Sequence, residues 1–107
     1  MNMAYEMLVE YRAMHSWSYL KIIAILGDFI EDFGMTERFY STAMLHLLDA
    51  NKTLGKNFRP NTCCSNWILS LQNALEWSNK RTVTILAEFV NLNDLENELN
   101  GYLDGAE

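Results

Sequence analysis

The sequence predicts an all-α fold, a single compact antiparallel bundle of about five helices, and three features of the chain point to it. Half of the 107 residues are hydrophobic and 12% are aromatic, enough to form a core without disulfide or metal staples. Only one proline, Pro60, and five glycines occur, too few breakers for an all-β sandwich with its frequent turns. Apolar residues recur at three- and four-residue spacing over long stretches. The length suits one domain, residues 1–107.

A first helix is expected over 3–15, where Ala4, Met7, Leu8, Tyr11 and His15 share one stripe. Ser16 or Ser18 can cap the next, expected over 18–33. That helix is apolar on two sides: Leu20, Ile23, Ala24, Gly27 and Ile30 on one, Ile22, Ile25, Leu26, Phe29 and Phe33 on the other. Such a helix belongs at the centre of a bundle or in an interface. Gly34 suits the position just past its end.

Thr36 is the expected N-cap of a third helix over 36–54, with Met35 stapled to Tyr40 and a stripe of Tyr40, Ala43, Met44, Leu47 and Leu48. Gly55 closes it, and a loop is expected from Gly55 to Asn61. Thr62 can cap a fourth helix with Cys64, Trp67, Ile68, Leu71 and Leu75 on one face. Its end is open, either near Asn79 or as far as Val90, and Lys80 and Arg81 suit a C-terminal turn. Asn93 and Glu96 resemble a capping box before a short helix carrying Leu95, Leu99 and Leu103, which Gly101 weakens. No internal repeat or low-complexity tract emerges from the residues.

Charge is unevenly spread. Residues 1–81 are balanced, whereas 82–107 hold Glu88, Asp94, Glu96, Glu98, Asp104 and Glu107 with no base, so this acidic C-terminal segment carries the whole net charge of −6. The first charges, Glu6 and Glu10, and the lack of an apolar leader core suit a cytoplasmic protein. The most hydrophobic stretch, Tyr19 to Ile30, contains Lys21 and Asp28 and is shorter than the roughly 20 residues of a membrane span. Adjacent Cys63 and Cys64 fit neither a disulfide framework nor the CxxC spacing of a zinc site.

Chemistry-bearing motifs are sparse. There is no GxGxxG, GxxxxGK[ST] or HExxH. His46 precedes Asp49 by three residues, but the further glutamates of a di-iron bundle are missing. Asp28 and Asp32 lie one turn apart, without a base or nucleophile, and read as a solvated strip. Enzymatic activity, a cofactor and a metal are therefore not expected. The cations Lys52, Lys56, Arg59, Lys80 and Arg81 make a small footprint for nucleic acid, and the helix-turn-helix-like spacing from Phe29 to Leu45 carries only Arg38.

Apolar residues off the core stripes remain: Leu69 and Trp77, Leu45, and Ile85 with Phe89. With Glu88, Asp94, Glu96 and Glu98, the residues Leu69, Trp77, Ile85 and Phe89 form the expected partner-binding surface, anchored by Trp77. The expected function is a small acidic protein-binding factor that occludes a basic surface of another protein such as a nuclease, toxin or defence enzyme, in the manner of immunity proteins and phage inhibitors. The alternatives are a homo-oligomeric structural or adaptor protein and a helical bundle holding a small ligand.

Overall fold

The computed structural model describes residues 3–52 and 64–105. These form an all-α bundle of six helices without a strand: α1 (Met3–His15), α2 (Tyr19–Asp32), α3 (Thr36–Asp49), α4 (Cys64–Leu75), α5 (Asn79–Leu92) and α6 (Glu96–Gly105). The expected fourth helix ends at Leu75, and a turn separates it from α5. Ser78 caps α5, its Oγ accepting from the Arg81 N–H at 3.1 Å. Lys80 and Arg81 therefore sit at the start of a helix rather than at the end of one. Asn93 is the C-cap of α5, not the start of α6; its side-chain amide donates to the Phe89 carbonyl. Thr36 is the first residue of α3, whose N-cap, Met35, makes no side-chain cap bond. The expected Thr62 cap and the loop from Gly55 to Asn61 lie outside the described residues.

Backbone geometry at the helix ends is uniform. Ser16, Gly34, Asn51, Glu76 and Asp94 all have positive φ, between 55° and 67°. The residue after each returns its N–H to the carbonyl five positions earlier: Trp17 to Arg12, Met35 to Ile30, Lys52 to Leu47, Trp77 to Gln72 and Leu95 to Val90. This is the left-handed C-terminal cap that closes a helix by satisfying its last carbonyls. Gly34 is the one glycine among the five; Asn51 and Asp94 are types that enter this region readily, whereas Ser16 and Glu76 hold it at a cost of about 1–2 kcal/mol.

The same pattern reveals a repeat that the residues conceal. A shift of 60 positions superimposes α1, α2 and the start of α3 on α4, α5 and the start of α6 in helix, turn and burial. Ser18 and Ser78 cap in the same way, and Gly34 pairs with Asp94 as the left-handed residue. Buried Ala4, Leu8, Ile23, Leu26, Phe29 and Ile30 correspond to buried Cys64, Ile68, Val83, Leu86, Phe89 and Val90. The absence of a repeat expected from the sequence is thus corrected: the described residues form two similar three-helix halves.

Those halves interlock. Helix α1 packs chiefly on α5 and α6 of the second half, and α4 packs on α2 and α3 of the first. Helices α2 and α5 cross at the middle. Each buries seven residues, so the two-sided apolar pattern expected to make the second helix central does so, and α5 shares that place. One cluster of buried side chains runs through both halves. In α3 the buried face is Phe39, Ala43 and Leu47, rotated from the expected stripe, while Leu48 is exposed. Phe39 packs edge-on against Phe89 at 5.1 Å and tilted against Trp67 at 5.2 Å.

Glycine is required where α2 meets α4. A Cβ at Gly27 would lie 2.9 Å from the Ser65 Cα and 3.1 Å from its backbone nitrogen, and the Ser65 hydroxyl donates to the Ala24 carbonyl at 3.3 Å. Gly27→Ala is expected to destabilise the fold by about 1–3 kcal/mol, because the helices must separate. Replacing Ser65 by Gly leaves the opposing backbone in place and is expected to rescue the variant only in part. Conversely, Glu76→Gly relieves a left-handed side chain and is expected to add about 1 kcal/mol, raising the melting temperature by roughly 4–8 °C. Thermal melts followed by circular dichroism check both, and a loss of stability in Glu76→Gly contradicts the cap geometry.

Candidate functional site

The structure divides the expected partner-binding surface. Ile85 and Phe89 are core residues, 5% and 2% exposed. The physical reason is that α5, like α2, is covered on two sides, so its off-stripe apolar residues meet neighbouring helices instead of solvent. Trp77 is half-buried and follows the left-handed Glu76, where it contacts His46 of α3 edge-on at 5.4 Å. It closes a helix end, as its counterpart Trp17 does by stacking on His15 at 5.0 Å and on Tyr11 at 6.0 Å. Leu69 is exposed on α4 and Glu88 on α5. Asp94 is the exposed turn residue before α6, Glu96 is half-buried, and Glu98 is exposed.

The acidic segment is also divided. Residues 82–92 belong to the central helix α5, whose exposed carboxylate is Glu88. Asp94, Glu96, Glu98 and Asp104 lie on or beside α6, and Glu107 lies outside the described residues. Leu99 and Leu103 anchor α6 in the core. On one side Tyr11 of α1 donates its hydroxyl to Asp104 and, at 3.3 Å, to the Asn100 side-chain oxygen. On the other, the Tyr102 hydroxyl donates to Asp32 of α2 at 2.8 Å. Glu96 and Glu98 occupy the first turn of α6, where the helix dipole favours negative charge.

Tyr102 draws together residues far apart in sequence. Its ring meets Phe29 edge-on at 5.3 Å and Phe33 at 6.3 Å, and Phe29 and Phe33 lie 4.6 Å apart. Phe33 remains 42% exposed. Burial, followed by the hydrogen bond to Asp32 and the charges of Asp32 and Asp28, pushes the Tyr102 phenol up to about 12. Asp28 and Asp32 of α2 thus stand beside α6, and Glu98 lies one helical turn before Tyr102. The result is an acidic corner with an aromatic floor: Asp28, Asp32, Phe33, Glu98 and Tyr102. Asp28 and Asp32, read from the sequence as a solvated strip, are part of a larger acidic surface. Phe33 was legible only as part of a stripe. The available signal for Tyr102 was its place three residues after Leu99.

The opposite corner has the same backbone and different chemistry. Under the 60-residue shift, Asp28, Asp32, Phe33, Glu98 and Tyr102 become Glu88, Leu92, Asn93, Arg38 and Thr42. Arg38 donates to the Asn93 side-chain oxygen at 2.9 Å, Leu92 is 81% exposed, and the carboxylate of Glu98 is replaced by a cation. One corner of the molecule is acidic and aromatic; its equivalent is mixed in charge.

Other candidate features have local explanations. The Arg12 guanidinium lies 4.2 Å from the centre of the Tyr19 ring. A cleft of about 310 Å³ beside α3 is lined by Thr36, Glu37, Tyr40 and Ser41. Among the described residues, no group of three His, Cys, Asp or Glu side chains is placed to hold a metal ion, and no helix is long and apolar enough to cross a membrane. Cys64 is fully buried at the start of α4, while Cys63, Lys56 and Arg59 lie outside the described residues.

No known protein family matches the chain, and neither a curated protein nor a solved structure is found similar to it.

The raised phenol sets a pH dependence. A folded-state value near 12, against 10.0 for the free side chain, means that ionisation favours the unfolded chain. The stability Tyr102 contributes is therefore complete below about pH 10 and lost as the pH rises toward 12. Tyr102→Phe is expected to flatten the alkaline part of the stability–pH curve and to remove from an ultraviolet titration one phenol that ionises near pH 12. Loss of amplitude near pH 10 instead contradicts the Tyr102–Asp32 contact.

Proposed function

We propose that this protein is a protein-binding factor that engages and covers a basic surface of its partner through the corner formed by α2 and α6. The reading is supported above all by the convergence of Asp28 and Asp32 with α6 around the exposed Phe33 and the half-buried Tyr102. Carboxylates of one sign around an apolar centre provide the two components of a steered encounter: long-range attraction, and a desolvated contact once docked. Aromatic faces beside carboxylates also suit the guanidinium of arginine, which stacks on rings while its N–H groups bind oxygen. The binding surface expected from the sequence thereby shifts. Glu98 stays within it, Asp94 and Glu96 lie on its flank in sequence, and Ile85, Phe89 and Trp77 give way to Phe33 and Tyr102.

The two equivalent corners provide an internal control. Asp28→Lys, Glu98→Lys and Phe33→Ala alter the acidic corner, whereas Glu88→Lys makes a charge change matched to Asp28→Lys on the other side. All four positions are exposed, so the variants are expected to keep the native circular dichroism spectrum. The tagged protein is expected to capture one stoichiometric basic partner from lysate at low salt and to release it at high salt. Either α2–α6 charge reversal is expected to weaken capture at least tenfold, about 1.4 kcal/mol, with Phe33→Ala having a similar effect and Glu88→Lys little. Equal capture by all variants, or recovery of the bait alone at both salt concentrations, overturns the proposal.

A further inference from the structure

The contacts that close the bundle run between its two halves. Helix α1 finds its main neighbours in α5 and α6, and α4 finds its own in α2 and α3. The polar contacts follow the same rule: the Ala4 N–H donates to the Asn91 side-chain oxygen at 3.1 Å, Ser65 to Ala24, Arg38 to Asn93, Tyr11 to Asn100 and Asp104, and Tyr102 to Asp32. Each joins a residue of 3–52 to one of 64–105. The arrangement is reciprocal, as in a two-fold dimer of three-helix units, although both units belong to one chain.

We infer that each half is an exchangeable partner for the complementary half of a second copy of this chain, so that the protein assembles by half-exchange through the interface that closes the monomer. The surface is the apolar face of α2 with α1 in the first half, and of α5 with α4 in the second. The same core contacts form whether the complementary half comes from the same chain or from another, which is the condition for a swapped dimer.

Pairing is directed toward unlike halves. The Gly27–Ser65 approach needs a residue without Cβ, and the second half carries Ala87 at the position equivalent to Gly27. Two second halves would therefore set the Ala87 side chain against Ser65. Two first halves would set Tyr40 and Met44 opposite Tyr11, in place of Asn100 and Asp104, and the Tyr11 hydroxyl would lose its carboxylate acceptor.

The test uses the full-length chain with a protease site placed within residues 53–63, prepared both unlabelled and with uniform 15N. Each folded protein is cleaved, and the two are mixed, unfolded in guanidinium and refolded. Native mass spectrometry is expected to show assemblies of one first half and one second half, with labelled and unlabelled halves combined in statistical proportion. In parallel, the uncut chain refolded at rising concentration is expected to yield a growing fraction of dimer with the helical spectrum of the monomer. Separation of the halves on gel filtration once the chain is cut overturns the inference. So does exclusive pairing of like halves, or an uncut chain that refolds only as monomer at every concentration.

Discussion

Helix α2 carries apolar side chains on two sides, and the three helices of its own half do not cover both. Burying Ile22, Ile23, Ile25, Leu26, Phe29 and Ile30 requires α4 and α5, and the corresponding face of α5 requires α1 and α2. Each buried large aliphatic or aromatic side chain contributes about 1.5–3 kcal/mol when removed from water, while ordering the backbone costs about 1–2 kcal/mol per residue. A half whose central helix is covered on one side has little surplus. Mutual coverage is the constraint that orders the molecule, and the Gly27–Ser65 approach sets how closely the halves can meet.

The acidic corner follows from this interlocking. Helix α6 lies beside α1 and α2, held by Tyr11 on one flank and by Asp32 on the other. Were each half an independent unit, the α2 carboxylates would not be brought beside α6 of the other half. The surface proposed to dock a basic partner is therefore a product of the crossing, assembled from residues more than sixty positions apart. Its equivalent across the pseudo-symmetry, with Arg38 and Leu92, shows that one backbone geometry supports two different surfaces.

Much of the fold was legible in the sequence because its signals are local. The limits of α1 and α2, the Ser18 cap, Gly34 as the left-handed residue and the centrality of α2 all follow from spacing and cap chemistry. The α4–α5 boundary was hidden because its left-handed residue is Glu76, which carries no turn signal, and because the apolar pattern continues past it. The repeat was hidden because the halves share character more than identity. Trp17, Ser18, Ile25, Leu26 and Phe29 recur unchanged as Trp77, Ser78, Ile85, Leu86 and Phe89, but Leu8, Ile23 and Ile30 become Ile68, Val83 and Val90, and Tyr11, Ile22 and Phe39 become Leu71, Thr82 and Leu99. The misplacement of Ile85 and Phe89 came from reading α5 as a helix with one buried side. The corner at Tyr102 depends on tertiary contacts, to which spacing along one helix is blind.

Mutual coverage makes the two halves one cooperative unit. Native-state hydrogen exchange on the intact chain, across a series of low denaturant concentrations, tests it directly, since amides that share an opening reaction share a free energy and a denaturant slope. The most protected amides of α2 and α5 are expected to converge on one global opening, together with those of α1 and α4 that face them. Separate opening of residues 3–52 and 64–105, with distinct free energies, would contradict it.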